Sequence, residues 1–160
     1  MPSADFLGTS EPVFTFEYHL MFSKLGDDVL KFTESITLPK ASNASTSIPY
    51  KNYVKAIAGT NTHEVITLKV KSFVSPNTAA KLWEWYKKVY PKKGVLGHPK
   101  DYKDNGIIAL TDGQSNPIST WKVTGAWPSK IDMGDAGEGA NATNIMIGLT
   151  LDIDDFEGPN

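Results

Sequence analysis

Between Val13 and Met21 apolar and polar side chains alternate. Phe14, Phe16, Tyr18 and Leu20 fall on one face, and Thr15, Glu17 and His19 on the other. A period of two marks a half-buried strand. Gly26-Asp27-Asp28 reads as a turn, and 29–38 as a second strand stopped by Pro39. The segment 40–47, KASNASTS, lacks apolar periodicity and is expected to be a polar loop. Residues 48–58 are expected to be extended, with Gly59-Thr60-Asn61 turning the chain. The next strand, 63–74, carries Ile66, Leu68, Val70 and Val74 on one face.

The period then changes. Ala79, Leu82, Trp85, Tyr86 and Val89 recur at helical spacing, which predicts a helix over 76–90. Ser75 is the expected N-cap, Pro76 suits the first position, and Pro91 ends the segment. Trp83 and Tyr90 lie off the apolar stripe. Residues 91–105 read as a lysine-rich loop, and 106–111 and 118–127 as a hairpin that places Trp121, Val123 and Trp127 on one face. Residues 128–143 form a Gly/Asp/Asn-rich loop. The closing strand is the clearest: Ile145, Ile147, Leu149, Leu151 and Ile153 alternate with Met146, Gly148, Thr150, Asp152 and Asp154. These elements predict a mainly β domain, an antiparallel barrel or sandwich of about six or seven strands with one flanking helix. The 160 residues favour a single domain, with 1–12 as an N-terminal arm.

Composition removes several functions. There is no cysteine, which excludes disulfides, thiolate metal sites and cysteine nucleophiles. No apolar run reaches the ~20 residues of a membrane-spanning helix, and no signal peptide is expected. All 16 basic residues are lysines and the formal net charge is −2. A tight nucleic-acid binder that lacks arginine's bidentate fork and carries net negative charge would be unusual. His19, His63 and His98 stand apart, with no metal-ligand spacing. Asp132, Asp135 and Glu138 share a loop but not the alternate-acid spacing of a calcium loop. No catalytic constellation, metal site or cofactor site is expected, and the chain is not expected to be an enzyme.

Five segments together resemble the contractile-phage tail-tube protein family. Leu30 to Pro39 is similar to the family's early strand with its Leu-Pro end, and Ile48-Pro49-Tyr50 through Gly59 to the extended segment that follows. The strand at 63–74 then leads into Leu82-Trp83-Glu84-Trp85-Tyr86 on a helix. Ala126-Trp127-Pro128-Ser129-Lys130 is the most specific piece, and the strand Asn144 to Asp154 closes the order. The likeness covers roughly residues 12–157. The total lack of arginine and the loops at 40–47 and 91–105 depart from the family.

The resemblance implies a structural subunit without catalytic residues. Six subunits would form a ring with a continuous inner β-barrel, and rings would stack into a tail tube for DNA ejection. The implied partners are further copies of the chain, a sheath protein, baseplate or tube-initiator and tail-terminator proteins. A tape-measure protein and DNA would occupy the lumen without sequence-specific binding. The implied location is the phage virion, with the host cytoplasm during assembly. Trp83, Tyr90, Ser42, Asn43, Asp132 and Asp135 are the candidate subunit-interface residues, and Asp152 and Asp154 the candidate lumen-facing ones. The arm and the loops at 40–47 and 128–143 are the candidate ring-to-ring contacts. Three other readings compete: the inner tube of a contractile injection system, a carbohydrate-binding β-sandwich, and a small carboxylate hydrolase. A stable monomer that binds a glycan array would favour the second. Loss of an activity on a single Asp or Glu substitution would favour the third.

Overall fold

The computed structural model describes residues 18–26, 33–72, 77–112, 116–135 and 145–160. Among them run β1 (Tyr18–Phe22), β2 (Thr33–Ile36), β3 (Ala41–Tyr50), β4 (Tyr53–His63) and β5 (Ile66–Lys71), then helices α1 (Thr78–Lys87) and α2 (Pro99–Tyr102). The chain closes with β6 (Asp104–Thr111), β7 (Pro117–Asp132), β8 (Met146–Asp152) and β9 (Asp155–Glu157). One antiparallel sheet has the order β1-β6-β7-β8-β5-β2, with β9 paired to β7. Strands β3 and β4 form a separate two-stranded sheet.

β7 is what lets one sheet enclose a core. Its first part, to Ala126, pairs with β6, and its last part, from Trp127, pairs with β8. Just before this switch Gly125 sits at φ +68, a left-handed conformation that side chains resist. The strand therefore turns a corner there. At the far ends of the strand order, the Tyr18 hydroxyl of β1 donates to the Thr33 carbonyl of β2 at 2.9 Å. The inner faces supply Ile66, Leu68 and Val70 from β5 and Ile147, Leu149 and Leu151 from β8, all at most 1 % exposed. Burying each such side chain contributes about 1.5–3 kcal/mol. This is the mainly β, antiparallel fold that the alternation predicted.

α1 packs Leu82 and Trp85 into the same core. The Trp85 indole N–H donates to the Tyr102 carbonyl at 2.7 Å, so its polar atom is satisfied inside. Asn77, not Ser75, is the N-cap; its side chain accepts from Ala80 N at 3.1 Å. Asn caps as well as Ser does. Ser75 and Pro76 lie outside the described residues, as do Val74, Phe14 and Phe16.

Several other expectations change. Segment 40–47 is no loop: from Ala41 it belongs to β3. The chain reverses at Lys51-Asn52, where Lys51 takes φ +53, and not at Gly59-Thr60-Asn61, which lies inside β4. Gly59 marks a register shift opposite Ala44, whose Cβ would stand 3.2 Å from any Cβ placed there. Both errors have one cause: this sheet buries neither face, so it carries no alternation to read. The 91–105 loop contains α2. The 128–143 loop begins only after Asp132, because β7 runs on through it. Trp127 does not share the face of Trp121 and Val123. The extra residue at Gly125 reverses the alternation, turning Ala126 inward and leaving Trp127 half-buried against Tyr102, ring centroids 5.9 Å apart.

Candidate functional site

The surfaces that could join subunits follow from what the fold leaves uncovered. Among the described residues, the β3–β4 hairpin is one. Every residue from Ala41 to Thr62 is exposed, although the strands pair along ten and eleven residues. Ile48, Tyr50, Tyr53, Val54 and Ile57 are all more than 40 % exposed. In the cross-strand register Tyr50 faces Tyr53, Ile48 faces Lys55, and Thr46 faces Ile57. Directly opposed residues point to the same side, so Tyr50, Tyr53, Ile48 and Ile57 share one face with Lys55 and Thr46, and Val54 lies on the other with Pro49. An isolated two-stranded ribbon is marginal in water, and apolar area on this scale marks an interaction surface.

Ser42 and Asn43 lie at the base of the same hairpin. The Ser42 and Thr62 hydroxyls share a hydrogen bond of 2.9 Å, and Asn61 Nδ2 donates to Asn43 Oδ1 at 2.5 Å. These pairs stiffen the ribbon. At the hinge to the body, the His63 ring packs on Phe156 with centroids 5.2 Å apart. Its Nε2 lies 3.4 Å from Asp155 Oδ1 without meeting hydrogen-bond geometry, and is otherwise unpartnered. That contact is an ion pair only when His63 carries a proton.

Asp132 ends β7 and accepts from Gly134 N at 2.9 Å; Asp135, three residues on, is exposed. On the outer side of the sheet, Ser35, Lys69, Gly148 and Asp132 form one row across β2, β5, β8 and β7. Thr67, Thr150 and Lys130 form the next, and Asp152 opposes Trp127. Asp152 is half-buried on this polar face. Asp154 is placed differently. It lies past the end of β8, where Lys103 Nζ binds its two oxygens at 2.9 and 2.7 Å and its N–H donates to Thr124 O at 3.0 Å.

Trp83 is 41 % and Tyr90 61 % exposed. Trp83 stacks on Tyr86 with centroids 5.3 Å apart. The structure thus joins Ser42 and Asn43 in one element, seats Asp132 and Asp152 on one sheet face, and puts Trp83 and Tyr90 on the α1 side. The exposed apolar tip of β3–β4 was not read from the sequence as a surface. Its signal was there: Tyr50 and Tyr53 flank a two-residue turn, a hairpin spacing.

Burial first, then the charge of Glu34, raises the Tyr18 phenol above the ordinary 10.0. Among the described residues no group of three or more His, Cys, Asp or Glu could hold a metal ion. No helix among them is long and apolar enough to cross a membrane.

A bent antiparallel sheet around one core, one packed helix and a bare projecting hairpin define a β-rich subunit built to be joined to others. The chain belongs to the family of the T4-like virus tail tube protein gp19, whose model matches residues 33–157. It is a structural tube subunit of the kind found in contractile tails. The fold is shared with a chain of the extended sheath–tube complex of the PVC extracellular contractile injection system. That pair is 16 % identical, with a TM-score of 0.73 over 98 % of this chain and 97 % of that one. A chain of the anti-feeding prophage tube-terminating cap is 18 % identical, with a TM-score of 0.73 over 92 % and 91 %. Hcp1 from Flavobacterium johnsoniae is 14 % identical, with a TM-score of 0.54 over 91 % and 97 %. No curated protein sequence matches the chain.

Proposed function

We propose that six copies of this chain close into a ring, that the rings stack into a hollow tube, and that the β3–β4 hairpin joins one ring to the next. The carrying observation is the hairpin: ordered by its own pairing, apolar at its tip, and exposed along its length among the described residues. Family membership supports the reading. Ser42 and Asn43 on the hairpin, with Asp132 and Asp135 beyond β7, are further ring contacts; the arm at 1–12 joins them. Trp83 and Tyr90 meet another chain of the particle. The free edges of the main sheet pair between neighbours to make the inner barrel, which removes the hazard of exposed edges.

The polar face that carries Asp152 then lines the lumen. Lys130 shares β7 with Asp132, and Lys69 and Lys71 lie on β5, the strand paired to the β8 of Asp152. The wall is therefore mixed in sign, with no arginine to grip phosphate. Cargo slides past it: DNA and a tape-measure protein in a phage, protein in an injection particle. Asp154 contributes at the lumen edge, through its Lys103 pair. A sheath, a baseplate and a terminator cap are the partners, since chains of this fold occur in a sheath–tube complex and in a tube-terminating cap. The subunit acts by shape and has no reaction to catalyse. It works in the assembled particle, after assembly in the host cytoplasm.

Light scattering on the purified protein tests the ring. A species of about 105 kDa, six times the 17.5 kDa chain, is expected. A 17.5 kDa species at all concentrations, unchanged on adding preassembled tubes, would remove the proposal.

A further inference from the structure

Charge is distributed unevenly along this chain. Residues 81–103 hold seven lysines and two acids, a net of +5. The whole chain is −2, so the remaining 137 residues carry −7. The fold turns this run into a surface. Trp83, Lys87 and Tyr90 follow one another at helical spacing on the outer side of α1 and just past its end. The loop after it folds back on the helix, with Gly97 N donating to Val89 O at 2.7 Å. Glycine is needed there, because a Cβ would stand 2.1 Å from the Lys88 carbonyl oxygen. The fold-back holds exposed Val95 and Leu96 beside exposed Lys88, Lys92 and Lys93. Lys103 is paired with Asp154, whereas Lys87, Lys88, Lys92, Lys93 and Lys100 have no ion-pair partner among the described residues. Aromatic and aliphatic side chains are thus ringed by unpaired cations.

We infer that this α1 face is a docking surface for an acidic, amphipathic segment of a different protein chain. Acidic side chains of the partner neutralise the lysines, and an apolar side chain covers Trp83 and Tyr90. Protein is favoured over nucleic acid because the surface offers Val95 and Leu96 and the chain has no arginine for phosphate. The inference rests on the tube reading in one respect, that the partner is the protein that encloses the tube. The buried side of α1 enters the core from the side opposite the polar face carrying Asp152. If that face lines the lumen, α1 looks outward.

The test uses the full chain and a labelled helical peptide with glutamate on one face and leucine on the other, followed by fluorescence anisotropy. Binding is expected at low salt and should weaken at least about tenfold between 50 and 500 mM salt, as screening of exposed charge requires. The triple variant K87E/K92E/K93E should lose at least about tenfold in affinity, and W83A at least about threefold, typical of an interface charge cluster and an aromatic anchor. Electron microscopy of the same variants keeps the two proposals apart. Normal tubes with lost peptide binding in the triple variant support the docking surface, and a parent chain that binds the peptide yet forms no tubes would sink the tube reading alone. No peptide binding by the parent, equal binding by the triple variant, or equal binding of a peptide with every leucine changed to serine would overturn the inference. A duplex DNA of equal charge binding as tightly would assign the face to nucleic acid instead.

Discussion

Gly125 and Asp154 decide the shape of this subunit together. The glycine takes a left-handed φ of +68 so that β7 can pass from β6 to β8, and a Cβ there would stand 2.1 Å from an Asp154 carboxylate oxygen. Gly125→Ala should therefore destabilise the fold by about 1–3 kcal/mol, seen as a lower urea midpoint with the slope unchanged. An unchanged midpoint would mean the corner tolerates a side chain. Tyr18 makes a second prediction at this scale. Burial and then Glu34 raise its phenol, so the neutral form is the one the fold holds. Its contribution is complete below pH 10.0 and is lost as pH rises through the raised folded value. The Tyr18→Phe variant should lack this alkaline loss, although it forfeits the hydrogen bond to Thr33 at every pH. Unfolding curves from about pH 9 to 12, around the ordinary tyrosine value, check it. Parallel pH dependence of the two proteins would refute it.

The hairpin sets the scale of elements. Its exposed apolar tip adds nothing to the core, so changes there should leave the single chain alone. Ile48→Asp with Val54→Asp is expected to shift thermal unfolding of the free chain by no more than about 0.5 kcal/mol, as surface substitutions do. The same pair should abolish ring stacking, counted on electron micrographs. Tubes of normal length would show that the tip is not a joint. The hairpin is also where sequence reading failed. Strands β5 and β8 were legible because one face of each is buried, giving Leu68, Val70, Ile147 and Leu149 their alternation. β3 offers Ser42, Asn43, Thr46 and Ser47, polar on both faces, and nothing in such a run separates strand from loop. A sheet that buries neither face has no pattern for a single chain to show. The bend at Gly125 was missed for another reason: one inserted residue reverses the faces, and composition does not announce it. The candidate interface residues were chosen as exposed or polar. The fold places them on separate surfaces, and it ties Asp154 to Lys103 within the subunit.

At the scale of the whole molecule, charge and shape divide the labour. One sheet face is polar and mixed in sign, the helix face is basic, and the hairpin is exposed along both strands. Asp152→Lys should leave tubes intact and slow the passage of cargo, because it removes an acid from a wall that already carries Lys69, Lys71 and Lys130. Ejection timed in single particles checks it, and an unchanged rate would take Asp152 off the lumen. The central claim is the stacked ring, and its most direct measurement is cryo-electron microscopy of the purified chain at several concentrations. The account predicts hollow tubes of six-membered rings, with the Tyr50 and Tyr53 tip of each hairpin buried against the next ring. Monomers at every concentration, with that tip still bare in the presence of preassembled tubes, would contradict it.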